Sequence, residues 1–251
     1  MEIFDAFCGV GPWAERDPLL PYRPKEILEL MDYFGIDRAL VRANIAAGRG
    51  RASECNRIVA EVCKAEERFV PAFTLAIHPY DEDPNPTGYA RMMAKVGARA
   101  AWLTFRTIDQ SSHFSSWLLE DLLEMCAGKK IPVFLHADTI GPDALHELCA
   151  EFPSLRVVLV GSGYGSDTWL FKLLEAHPNL HVCLGHYYIP SEGPMRFLKH
   201  FSCDRLLFGS GLPAFSPGGL IAHVMYADIT PTEQEKIFSK NLQRILSEVD
   251  L

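Results

Sequence analysis

The sequence predicts an α/β fold, a (β/α)8 TIM barrel, on three observations. Short apolar runs alternate with amphipathic stretches along all 251 residues, the runs number eight, and no linker, repeat array or low-complexity segment interrupts them. Such alternation builds β-α units around a parallel sheet. Barrels of this kind run to about 200–250 residues as one unit, so residues 1–251 read as one barrel domain. An open doubly wound sheet shares the alternation, but eight strands in one unbroken series favour closure.

The first strand is expected at residues 2–7. A helix follows, with Pro24 in its first turn, Ile27, Leu28, Met31 and Phe34 at helical spacing, and Gly35 closing it. Strand two is expected at 39–43 and its helix at 54–66. Strand three (70–77) and a helix at 89–96 come next, then strand four (100–105) and a helix at 117–127 closed by Gly128. Strands five, six, seven and eight fall at 133–136, 157–160, 181–184 and 206–208, separated by helices at 144–152, 169–176 and 194–201. Thr230-Pro231-Thr232-Glu233 reads as a capping box that starts a helix through Ile245. Segments 12–24, 79–86 and 212–219, rich in Gly and Pro, are long enough to cover a barrel mouth.

Composition narrows the function. The chain is 48% hydrophobic and 22% charged, with 24 Lys plus Arg against 32 Asp plus Glu, a net charge of -8. Neither that balance nor any basic run attracts a phosphate backbone or an anionic membrane, so no nucleic acid and no membrane partner is expected. No apolar stretch approaches the ~18 residues of a membrane span, and Met-Glu-Ile-Phe-Asp does not resemble a signal peptide; a cytoplasmic location is expected. The seven cysteines lack a Cys-X-X-Cys pair and read as reduced, mostly buried small hydrophobes.

Several segments carry a family resemblance. They are Ile131-Pro-Val-Phe-Leu-His136, the run from Glu151 to Gly161, His177-Pro-Asn-Leu180, the run from Cys203 through Gly209-Ser210-Gly211 to Pro213, Lys240 to Leu246, and Asn56 to Phe69. Together they resemble the amidohydrolase-related family of the metal-dependent hydrolase superfamily. The resemblance implies a barrel that holds one or two divalent metals to activate water, with some relatives decarboxylating aromatic or other carboxylic acids. It further implies a ligand set: His-X-His on strand one, a His ending strand five, a His ending strand six and an Asp ending strand eight. Carried onto this chain, those positions are Phe7, Gly9, His136, Gly161 and Gly211, so one ligand of five remains. A single imidazole cannot hold zinc against water, so no metal and no cofactor is expected. Dimerisation is common in the family, which makes a homodimer the implied assembly.

Working residues of a barrel stand at the carboxyl ends of its strands. Alternation directs Arg42 on strand two, His78 ending strand three, and Trp102, Thr104 and Arg106 on strand four to the lumen. Arg42 and Arg106 either grip a carboxylate bidentately or pair with loop acids such as Asp81 or Asp109. His136 with Asp138 has the composition of a general acid/base beside an orienting carboxylate, or is an inherited histidine bonded to backbone. His186 adds a polar rim group after strand seven. Ser162 lies in Gly161-Ser-Gly-Tyr-Gly-Ser166, a loop able to present N-H groups to an anion or merely a flexible connection. Cys8 is out of phase with Phe7 and Gly9 and should face the helices, which argues against a nucleophile.

Two functions follow. One is a metal-independent hydrolase, or decarboxylase-type lyase, acting on a small organic acid, with His136 catalytic and Arg42, His78, Arg106, Asp138, Ser162 and His186 binding the carboxylate ligand. The other is a non-catalytic pseudoenzyme of the same fold that binds a small ligand or serves assembly. A metallohydrolase with relocated ligands His78, His136 and His186 is not expected.

Overall fold

The computed structural model describes residues 1–13, 19–47, 51–75, 85–103, 115–163, 165–185 and 193–251. Eight strands pair in parallel in sequence order: β1 (Phe4–Val10), β2 (Arg38–Ala43), β3 (Phe69–Thr74), β4 (Ala100–Leu103), β5 (Val133–His136), β6 (Val157–Val160), β7 (Leu180–Leu184) and β8 (Leu206–Phe208). The seam between β8 and β1 is drawn together just beyond β8. Gly9 N donates to Leu212 O at 2.7 Å and Gly211 N donates to Phe7 O at 2.8 Å. The expected (β/α)8 barrel is therefore the fold.

Outside the strands lie α1 (Pro24–Phe34), α2 (Ala52–Ala65), α3 (Pro86–Val96), α4 (Glu120–Gly128), α5 (Pro142–Glu151), α6 (Asp167–Ala176), α7 (Pro194–Leu198), α8 (Gly218–Met225), α9 (Pro231–Glu235) and α10 (Asn241–Ser247). Helix α1 ends as its sequence indicates, at Gly35 with φ 68°. Gly128 does not close α4 but belongs to it; the left-handed residue is Lys130, φ 56°. Helix α8 begins inside the segment read as a mouth loop, because Pro217-Gly218-Gly219 looks like a turn while Leu220 and Val224, one helical turn apart, are its buried face. A π-type turn at Lys236–Lys240 joins α9 to α10 into one helical run behind the expected capping box.

Strand alternation splits the core into two layers. Val133, Leu135, Val157 and Leu159 face the helices, whereas Phe134, Val158, Val160, Leu40, Trp102 and Leu207 fill the lumen. Leu242, Ile245 and Leu246 of α10 join the lumen layer and plug the barrel at the strands' amino ends. Burying each such side chain stabilises by about 1.5–3 kcal/mol. These packed apolar side chains close the lumen at the strands' amino ends.

Strand β1 breaks the alternation. Asp5 faces Ala39 and Cys8 faces Val41, so β1 carries one residue more than β2 between those pairs, a β-bulge. As a result Ala6 and Phe7, adjacent in sequence, both belong to the lumen layer. Cys8 faces the helix layer, as expected, and is fully buried. No described helix is long and apolar enough to cross a membrane.

Candidate functional site

The floor of the mouth is aromatic. Phe7 stacks on Trp102 with ring centroids 5.4 Å apart, and Trp102 lies 5.9 Å from Phe134. Arg42, in phase with the inward-facing Leu40, lays its guanidinium on this floor, with Cζ 4.9 Å from the Phe7 centroid and 4.9 Å from that of Trp102. Among the described residues no carboxylate pairs with Arg42 and its Nε is buried without a hydrogen-bond acceptor, while the loop acids expected as partners lie outside them. Burial pulls its pKa down to about 10, which still leaves a full positive charge at neutral pH.

His136 ends β5 in phase with Phe134 and stands over the other edge of Phe7, ring centroids 6.1 Å apart. Strand β5 stops there, and a 3-10 turn at Ala137–Thr139 carries Asp138 back towards the imidazole. That turn, not strand persistence, makes the pair. Asp138 N donates to His136 Nδ1 at 3.3 Å, and Asp138 Oδ2 lies 3.4 Å from the same nitrogen. The imidazole therefore has two supports: backbone N–H for the tautomer protonated at Nε2, and carboxylate for the tautomer or cation protonated at Nδ1. Burial dominates its titration and lowers the pKa below 6.5, with Asp138 opposing and Arg42 reinforcing the shift. The shift favours the neutral imidazole.

Glycines close around these groups. A Cβ at Gly161, whose φ is 72°, would overlap the His136 ring, with Nε2 the nearest atom. A Cβ at Gly9 would run into Asn44 Oδ1, and one at Gly211 would come within 2.8 Å of Phe215. Asn44 is itself anchored by donating Nδ2 to Gly11 O at 2.8 Å. The space that side chains at these three positions would occupy has been taken by their neighbours.

Ser162 is fully buried, and its Oγ has no partner among the described residues. His78, Arg106 and His186 lie outside the described residues, as do Thr104, Asp81 and Asp109. The structure thus brings together Arg42, His136 and Asp138 and sets Ser162 nearby at the end of β6. Cys8 fails as a nucleophile on chemistry as well as direction, since burial first, and the Asp5 charge second, push its thiol pKa well above the ordinary value. His146 and His177 pair with each other, Nδ1 to Nε2 at 2.7 Å, away from the mouth.

Sequence reasoning missed Asp5 and Ser210. Asp5 is fully buried; its Oδ1 accepts from Phe7 N at 2.9 Å and from Ser210 N at 2.7 Å, and its Oδ2 accepts from the Ser210 hydroxyl. Ser210 Oγ in turn accepts from Leu212 N at 2.8 Å. This clasp holds the β1 bulge and the segment after β8 in one arrangement, and so fixes Phe7. An acid inside an otherwise apolar strand was the available signal. Burial raises the Asp5 pKa from 3.8 to about 6, although the three donors oppose it.

The sign of that shift gives a prediction. The folded chain holds the Asp5 proton more tightly than the unfolded one, so this group's contribution to stability is complete below pH 3.8 and is lost as pH rises through 6. The full span is about 3 kcal/mol, of which about 1 kcal/mol falls between pH 5 and pH 7. Urea unfolding at those two pH values should show that increment in the native chain and not in Asp5→Asn. Equal pH dependence in both proteins would remove the clasp's proton linkage.

The amidohydrolase family model matches residues 12–247. The chain belongs to that family. No curated protein matches it in sequence. Solved structures share the fold at low identity. An uncharacterised TIM-barrel protein from Bordetella bronchiseptica superposes with a TM-score of 0.74 at 19% identity over 99% of both chains. A 2,6-dihydroxybenzoate decarboxylase from Rhizobium gives 0.72 at 17% identity over 98% of each. A dihydroxybenzoic acid decarboxylase from Polaromonas, with bound manganese and the inhibitor 2-nitroresorcinol, gives 0.74 at 13% over 98% of this chain and 97% of that one.

Membership raises the question of a metal, and the residues answer for their own positions. Of the five ligand positions that the family resemblance implies, only His136 offers a donor side chain, and the spaces at Gly9, Gly161 and Gly211 are filled by Asn44, His136 and Phe215. Among the described residues no three of His, Cys, Asp or Glu come together as a metal site. Among the described residues, the donors present at those five positions do not fit the implied ligand pattern.

Proposed function

We propose that this amidohydrolase-family protein is a metal-independent hydrolase of a small carboxylic acid, working at the carboxyl-end mouth of the barrel. One observation carries the reading: Arg42 is a cation at the mouth without a carboxylate partner among the described residues, lying on the same aromatic floor as a neutral histidine. A guanidinium so placed supports recognition of a planar anion, with two parallel N–H donors for its two oxygens.

The chemistry follows from His136. With Nδ1–H directed at the Asp138 carboxylate, Nε2 keeps a lone pair and acts as general base. It takes a proton from water as the water oxygen adds to the substrate's scissile carbonyl carbon. The tetrahedral adduct then expels its leaving group, which takes the same proton from the imidazolium, and Asp138 stabilises that cation in between. Ser162 stands at the β6 edge of this space.

Decarboxylation is the second reading, favoured by the names of the structural neighbours. It would break the bond to the carboxylate, release carbon dioxide and need a proton delivered to carbon. A histidine with a lowered pKa holds little imidazolium at neutral pH, so general-base hydrolysis has the better claim on His136.

The test is a screen of small carboxylic acids bearing ester or amide groups, with hydroxybenzoates alongside, on protein stripped by EDTA and on protein supplied with zinc or manganese. Turnover of an ester or amide, unchanged by stripping, is expected. Turnover that appears only with added metal would overturn the metal-independent reading. Carboxylate binding without any turnover would overturn the enzyme and leave a ligand-binding protein.

A further inference from the structure

The barrel carries a second cleft of about 850 Å³ at the opposite end, where β6, β7 and β8 begin and the helical run Lys236–Arg244 crosses them. Its lining charges are Arg156, Arg205, Lys236, Lys240 and Arg244 against one carboxylate, Asp204. In a chain of net charge -8 this is a local reversal of sign. Three of those guanidiniums also bear on His181 in the cleft wall, which burial and their field keep neutral, with a pKa near 4.

The cations are only partly spent on one another's acids. Lys236 pairs with Asp204 at 2.8 Å, Lys240 with Glu235, and Arg156 and Arg244 share Glu248. Among the described residues no carboxylate pairs with Arg205, which donates to the carbonyls of Leu174, His177 and Leu180. Five positive groups therefore meet three negative ones, and each ammonium uses one of its three donors on its carboxylate. The pairs of Lys240 and Arg244 are half-exposed, and pairs of that kind are worth about 0–1 kcal/mol, so exchanging such an acid for a ligand costs little.

We propose that this cleft is a binding site for a polyphosphate anion. Concave walls of one sign focus the field on a charge between them. Lys236, Lys240 and Arg244 succeed one another every four residues along that run, with Arg156 and Arg205 contributed by the strand starts across from them. A single carboxylate spans one step of that row; a chain of linked phosphates spans several.

Calorimetric titration of the full chain with tripolyphosphate tests the site, at low and at physiological salt and with the fold of each variant confirmed by circular dichroism. Saturable binding of one tripolyphosphate per chain is expected, weaker at higher salt as screening requires. Lys240→Ala combined with Arg244→Ala should weaken it at least tenfold, and the single Lys240→Glu should do so without removing Arg244 from its contacts. Arg42→Ala at the mouth should leave it unchanged. Absence of saturable binding, or binding lost in Arg42→Ala and retained in the Lys240 and Arg244 variants, would overturn the proposal.

Discussion

Replacing His136 with Asn is expected to lower turnover of the substrate by about 10²- to 10⁴-fold, the usual worth of a positioned general base. Asparagine keeps a polar group at the end of β5 and fits beside Gly161, where only a residue without Cβ lets the ring lie, so folding should survive. Because Arg42 and the aromatic floor remain, KM should move by no more than about threefold, which places the loss in the chemical step. The pH profile supplies a second readout. A base whose pKa is lowered by burial loses its proton at more acid pH than an ordinary imidazole, so the native rate should rise from acid pH with its midpoint below 6.5. Asp138→Asn, which takes away the carboxylate facing Nδ1, should lower the rate and shift that rise to still lower pH. Undiminished turnover in His136→Asn would end the assignment.

Of the two groups in the proposed chemistry, His136 was legible as the ligand position that the family resemblance places at the end of strand five, and Arg42 through strand phase: Leu40 faces inward, so Arg42, two residues further on, does the same at the mouth. The same reasoning gave β5, β6 and β8 their observed bounds, since runs such as Val157–Val160 are flanked by residues that cannot prolong a buried strand. What escaped it depends on contacts distant in sequence. Asp5 and Ser210 are 205 residues apart, and no local pattern announces that one clasps the other. The bulge they hold sets Ala6 and Phe7 on the same side, which alternation forbids. Likewise glycine at positions 9, 161 and 211, where the resemblance implies ligands, is written in the sequence, whereas the identity of the neighbours that fill the space is visible only in three dimensions. Helix α8 was hidden because its first turn is made of glycines whose intrinsic preference is for turns.

Arg42→Met should separate ligand binding from stability. A guanidinium taken out of water carries a cost of several kcal/mol that an ion pair normally offsets; here the offset comes from two aromatic faces, worth about 1–2 kcal/mol each when desolvated. The buried Nε, without an acceptor among the described residues, adds its own penalty of about 1–3 kcal/mol. Methionine has a similar reach, packs its thioether on Phe7 and Trp102, and leaves no polar atom to satisfy. The variant should therefore be more stable than the native chain, by about 1 kcal/mol, seen as a rise in Tm of about 2–4 °C for a protein of this length. Affinity for a carboxylate probe such as benzoate should fall at least thirtyfold in the same variant, because a charge-assisted bidentate contact of about 2 kcal/mol or more is gone. Arg42→Lys should recover little of that affinity, since an ammonium neither presents two parallel donors nor lies flat on the rings. A structural arginine gives the opposite signature: its removal destabilises the barrel and leaves benzoate indifferent. The stability gain together with the affinity loss is thus the pattern of a cation kept at the barrel's expense for an anion that comes from outside.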